Sequence, residues 1–132
     1  MAGENVETVR RMFDAFNRGD HAAAFADVHE DIEWGEPPDM PDTGGTYRGH
    51  EGMVKGFTRF LGAWEPGFRV DLEELFERGE GVVAMTRWAG KSRTTGIAAE
   101  QRIAQLYEFR DGKVARLRQF RELDEALAAA DA

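Results

Sequence analysis

Val6, Val9, Met12, Phe13 and Phe16 recur at spacings of three and four, which predicts an amphipathic helix from about Val6 to Arg18. Asn5 stands where an N-cap is expected, and Gly19 where a helix end often needs positive φ. Asp20 is placed to cap a second, short helix through His21-Ala22-Ala23-Ala24-Phe25-Ala26. Met53, Phe57, Phe60, Leu61 and Trp64 repeat the helical spacing, although Gly52, Gly56 and Gly62 each cost about 1 kcal/mol relative to alanine. Those glycines are expected to let the helix lie close on a curved sheet. After Pro66-Gly67 the period drops to two. Phe68, Val70 and Leu72, then Val82 to Ala89 beyond the Gly79-Glu80-Gly81 turn, predict two antiparallel strands. Two more, Glu100 to Arg110 and Lys113 to Arg121, meet across Asp111-Gly112, a strong hairpin signal, and Leu123, Ala126 and Leu127 suggest a C-terminal helix.

Pairing Arg110 with Lys113 across that turn fixes which side chains share a face. Uninterrupted alternation puts Ala104, Leu106, Ala115, Leu117 and Gln119 on a small, apolar face suited to helices or a cavity. It puts Ile103, Gln105, Tyr107, Phe109, Val114, Arg116, Arg118 and Phe120 on an aromatic, basic face suited to a dimer contact. The element order gives an α+β domain, a curved antiparallel sheet wrapped around N-terminal helices and forming a cone with an internal cavity.

The candidate chemistry centres on Asp31-Ile32-Glu33-Trp34-Gly35-Glu36-Pro37. Ile32 and Trp34 define the apolar phase of a strand, and continuing it turns Glu36 inward with them. A carboxylate on the apolar side of a sheet loses hydration unless the site uses it. Gly35 as a bulge and Pro37 as a ladder terminator offer the opposite outcome, a strand end with Glu36 in water. From Glu36 to Gly49 the prolines and glycines predict a loop that forms a rim or lid.

Composition narrows the classes. At 132 residues with 42% hydrophobic content, the chain is expected to be one domain with one core. It has no cysteine, so disulfides and sulfur-ligated zinc are excluded and a reducing, cytoplasmic setting is expected. No apolar run approaches the roughly 20 residues that span a bilayer, so no membrane role is expected. The net charge of −8 argues against phosphate-backbone binding, and no nucleic-acid partner is expected. Residues 87–121 nevertheless carry a local +6 against −14 elsewhere, which fits a basic sheet beside acidic helices or a partner subunit.

Phe16-Asn17-Arg18-Gly19-Asp20, Asp31-Ile32-Glu33-Trp34, Tyr47-Arg48-Gly49-His50-Glu51-Gly52 and Phe109-Arg110-Asp111-Gly112-Lys113-Val114, in this order, resemble the SnoaL-like branch of the nuclear transport factor two-like superfamily. The resemblance covers nearly the whole chain. It implies a small cone-shaped homodimer with an apolar cavity, in a superfamily that includes polyketide cyclases, ketosteroid isomerases, epoxide hydrolases and noncatalytic binding domains. It places Glu36 before Pro37 at the isomerases' general base. Met12 and Leu106 fall at the positions of the isomerase oxyanion tyrosine and aspartate, and Arg87, Ala89 and Gln119 at the hydrolase Arg-Asp-Asp positions.

Two functions are expected to compete. One is a cofactor-independent isomerase, cyclase or lyase acting on a small hydrophobic carbonyl compound, with Glu36 as base and Arg87 or Gln119 stabilising the enolate. The other is a noncatalytic dimeric ligand-binding domain. Expected ligand contacts are Met12, Phe16, Trp34, Tyr47, His50, Phe57, Met85, Leu106 and Leu117. Of the three histidines, His21 and His29 are expected in solvent and His50 at the rim, and none pairs at metal-ligand spacing. Thr43-Gly44-Gly45-Thr46 lacks the lysine of a phosphate loop, so nucleotide hydrolysis is not supported.

Overall fold

A computed structural model describes residues 2–35 and 46–132. Two helices, α1 (Ala2–Asn17) and α2 (His21–Ala24), precede strand β1 (Val28–Gly35). Strand β2 (Thr46–Arg48) leads into α3 (Gly49–Gly62), followed by β3 (Arg69–Arg78), β4 (Gly81–Lys91), β5 (Ala98–Arg110), β6 (Lys113–Phe120) and α4 (Leu123–Asp131). The strands form one curved sheet in the order β2-β1-β6-β5-β4-β3. The α+β architecture is the one expected, with one departure: β1 runs parallel to β6, while the other neighbours are antiparallel. Short β2 was absent from the predicted order; its three residues sit inside the predicted loop.

The first helix begins earlier than predicted, so Asn5 is no cap. It is buried one turn in, and its Nδ2 donates to the Glu80 carbonyl at 2.8 Å, tying α1 to the β3–β4 turn. At the other end, Gly19 takes φ +80° and Asp20 accepts from the Ala23 backbone N–H, as a cap should. Asn17 closes α1 onto the free edge of β3. Its side-chain amide donates to the Val70 carbonyl at 2.8 Å and accepts from the Val70 N–H at 3.3 Å, imitating a strand partner.

Two β-bulges set which side chains face the helices. In β3, Leu72 pairs with Thr86 and Glu74 with Met85, so Glu73 is the extra residue. Val70 and Leu72 before it and Leu75 after it all pack against the same core. In β6, Phe109 pairs with Val114 but Glu108 with Arg116, so Ala115 is extra. Beyond it Leu117 lies opposite Tyr107 and Gln119 opposite Gln105. This corrects the predicted faces: Ile103, Tyr107 and Val114 belong to the main core, and Ala104 and Leu106 lie on the other side.

The core is therefore double. The concave side holds Val9, Phe13, Ile32, Trp34, Phe60 and Trp88 with their neighbours, between the sheet and helices α1 and α3. The convex side is a smaller cluster, Val83, Met85, Ala104, Leu106 and Ala126, sealed by α4. Glycines let rings lie flat on the backbone. A Cβ on Gly56 would fall 2.5 Å from the Tyr47 ring, and one on Gly90 2.6 Å from the Phe68 ring. Gly52 also faces Tyr47, whereas nothing lies within 4 Å of the Cβ position of Gly62. Of the four glycines of α3, close approach thus accounts only for Gly56, since the nearest atom to a Cβ on Gly52 lies at an ordinary contact distance of 3.7 Å.

Candidate functional site

The concave core leaves an apolar pocket of about 90 Å³, lined by α1, α2, α3 and the inward side chains of β1, β3, β4, β5 and β6. Two residues of α3, one turn apart, organise its walls. Phe57 meets Phe16 and Phe25 nearly perpendicular, at ring-centroid distances of 5.4 and 5.1 Å, and lies 5.9 Å from Trp34. Phe60 meets Phe68 and Trp88, each at 5.5 Å and nearly perpendicular. Such edge-to-face pairs contribute about 0.5–1.5 kcal/mol each beyond burial, which makes the walls stiff. Trp88 is further fixed through its indole N–H, which donates to Thr86 Oγ at 2.7 Å, while that hydroxyl donates to the Ile103 carbonyl at 2.6 Å.

Polarity enters at one place. The Tyr107 hydroxyl donates to Gln105 Oε1 at 2.6 Å, Gln105 Nε2 to Gln119 Oε1 at 2.9 Å, and Gln119 Nε2 to the Gly35 carbonyl at 2.6 Å. The chain of bonds runs from the pocket wall to the end of β1. Burial pushes the Tyr107 phenol far above its ordinary range, so it stays neutral. Among the described residues lining the pocket, none is Asp, Glu, His, Lys or Arg.

The structure divides the residues expected at the site. Met12, Phe16, Trp34, Phe57 and Leu117 line the pocket. Ile32 and Trp34 point inward and Glu33 outward, toward Arg48 and Arg116 at 3.9 Å each. Glu36, with Pro37, lies outside the described residues. Gln119 reaches the pocket's polar edge through Gln105.

Five others are placed elsewhere. Arg87 follows the outward phase of β4 and pairs with Asp71 at 3.5 Å and Glu100 at 3.4 Å, so it does not join Gln119 in a site. Met85 and Leu106 lie on the convex side under α4; they share the outward phase of Arg87, and the bulge at Ala115 separates Leu106 from Leu117. Tyr47 lies over Trp34 at 5.7 Å, behind the wall, with its hydroxyl accepting from Arg59 at 3.1 Å. His50 Nε2 sits 2.7 Å from the Val28 carbonyl and bridges α3 to β1. His21, exposed as expected, stacks on Phe16 at 5.5 Å.

Gln105 and Tyr107 were assigned to the outer face and form the polar edge of the pocket instead. A signal for them exists in the sequence. Val114 and Leu117 are both apolar at an odd spacing, and a strand can bury both on one face only by holding an extra residue between them.

Solved structures share this fold along nearly all of the chain. Bal32a, from a soil-derived mobile gene cassette, is 26% identical with a TM-score of 0.81, covering 90% of this chain and 89% of its own. An NTF2-like protein of Burkholderia thailandensis is 31% identical over 97% of both chains with a TM-score of 0.79. TerC, crystallised with polyporic acid, is 23% identical with a TM-score of 0.78, covering 98% of this chain and 99% of its own. No curated protein matches the sequence. The profile of the SnoaL-like domain matches residues 9–117, and the chain belongs to that family, within the nuclear transport factor two-like superfamily.

Proposed function

We propose that this protein binds a small, largely apolar carbonyl compound in the concave pocket and acts on it as a cofactor-independent isomerase, cyclase or lyase. The observation that supports binding is the combination of apolar aromatic walls with a single polar edge at Gln105 and Tyr107. Apolar walls with a few convergent polar groups are the usual form of a small-molecule site. Gln105 Nε2 carries two N–H groups and spends one on Gln119, which leaves one for a ligand carbonyl. The base in this reading is Glu36, which would take a proton beside that carbonyl. The amide donor would hold the enolate oxygen, an effect worth about 10²–10³-fold in comparable sites.

Size limits the ligand. A pocket of about 90 Å³ is smaller than the cavity of about 150 Å³ that admits benzene in an engineered core. One small ring fits after modest side-chain movement. A polycyclic compound needs α1 or α3 to shift. Incubation with cyclohexanone in D₂O tests the chemistry: protein-dependent deuterium uptake at the α-carbon is expected, and Glu36→Gln should abolish it while leaving the fold intact. A mutant rate equal to wild type sinks the assignment of Glu36.

The absence of ionisable groups other than Tyr107 from the described lining favours a second reading, a noncatalytic binding domain. It predicts saturable cyclohexanone binding without any exchange. Either way we propose a homodimer through the convex sheet face, where Arg102 and Arg118 pair with Glu73 and Glu108 around the margin of α4.

A further inference from the structure

The hydrogen-bond chain at the polar edge has only one possible direction. At its far end stands the Gly35 carbonyl, which can only accept, so the nitrogen of the Gln119 amide must face it. The Gln119 oxygen then faces Gln105 and must receive an N–H from it. That leaves the Gln105 oxygen toward Tyr107, and two oxygens at 2.6 Å require the phenol proton between them. Reversing Gln119 would set carbonyl against carbonyl at 2.6 Å, and reversing Gln105 alone would do so at 2.9 Å. A backbone atom of β1 thus dictates how a tyrosine on β5 spends its proton.

From this direction we infer that Tyr107 meets the ligand as a hydrogen-bond acceptor, so the pocket selects compounds carrying an O–H donor on or beside a small ring: phenols, enols or hydroxy ketones. The Tyr107 proton is committed to Gln105, and no described residue donates to its oxygen. A ligand hydroxyl completes that oxygen, whereas a ligand carbonyl there would face lone pair against lone pair. Ionisation offers no alternative donor pattern, because burial keeps the phenol neutral. The inference rests on the binding site proposed above and narrows its ligand class.

Calorimetric titration with phenol, toluene and benzaldehyde, which share one ring and differ in donor and acceptor, tests it. Tyr107→Phe should lower phenol affinity about tenfold, the scale of one hydrogen bond, while toluene and benzaldehyde change less than about twofold. Equal losses for all three, or a loss confined to benzaldehyde, overturn the inference while leaving the pocket in place. Failure of wild type to bind both toluene and phenol overturns the pocket and the inference together. Wild-type protein supplies a check that survives a misfolded variant. 3-Fluorophenol, a stronger donor of similar size, should bind more tightly than phenol, and the reverse order refutes an acceptor role for Tyr107.

Discussion

The ring of Tyr47 occupies the space where Gly56 would carry a side chain, with the ring carbon Cε2 2.5 Å from an ideal Cβ. Alanine at this helical position would gain about 1 kcal/mol in propensity. It would also push the ring off Trp34, at an overpacking cost of about 1–3 kcal/mol. Gly56→Ala is expected to destabilise the protein in urea denaturation, and the same change in a Tyr47→Ala background to be neutral or stabilising. Destabilisation of equal size in both backgrounds would show that the ring is not the obstacle.

Asn17 serves the edge of β3 as a one-residue strand. Asn17→Ala removes both bonds to Val70, and a loss of about 1–2 kcal/mol is expected from two ordinary hydrogen bonds. The bared edge should also raise self-association, visible as concentration-dependent light scattering. A variant as stable and as monodisperse as wild type would contradict this role.

Arg87 is engaged on the convex face by Asp71 and Glu100. Arg87→Gln should leave cyclohexanone binding and α-carbon exchange unchanged within twofold and cost no more than about 1 kcal/mol of stability, the ceiling for exposed pairs. A tenfold loss of exchange would return Arg87 to the site.

Tyr107 also predicts an alkaline limit. Burial raises its phenol above the ordinary value of 10.0, so the folded protein keeps a proton that the unfolded chain releases. The sign follows: stability is complete below about pH 10 and falls above it, by up to about 1.4 kcal/mol per pH unit. Urea midpoints measured between about pH 9 and about pH 11 should decline more steeply in wild type than in Tyr107→Phe. Parallel profiles would mean that the phenol ionises without opposing the fold.

Much of the architecture was legible from periodicity. The turns at Gly19, Gly79 and Asp111-Gly112 carry strong local signals, and the helices follow their apolar spacing. The apolar wall was partly legible for the same reason: Met12, Phe16, Trp34 and Phe57 sit on faces that only burial explains. What failed was strand phase beyond a bulge. Perfect alternation carries Leu106 and Leu117 to one side, and a single added residue at Ala115 reverses everything after it. The same odd spacing occurs between Leu72 and Leu75, where Glu73 is the added residue. Asn5 was misread because a side chain–backbone bond over 75 positions has no local signature.

The bulge at Ala115 gives the family member a simple evolutionary lever. Were Ala115 paired in the ladder instead of bulged out, Arg116 would stand opposite Tyr107 and Arg118 opposite Gln105, and two guanidinium groups would take the places of Leu117 and Gln119 on the concave face. The lining of a pocket in this fold can therefore change abruptly, through a one-residue slip of register rather than through gradual replacement of the side chains.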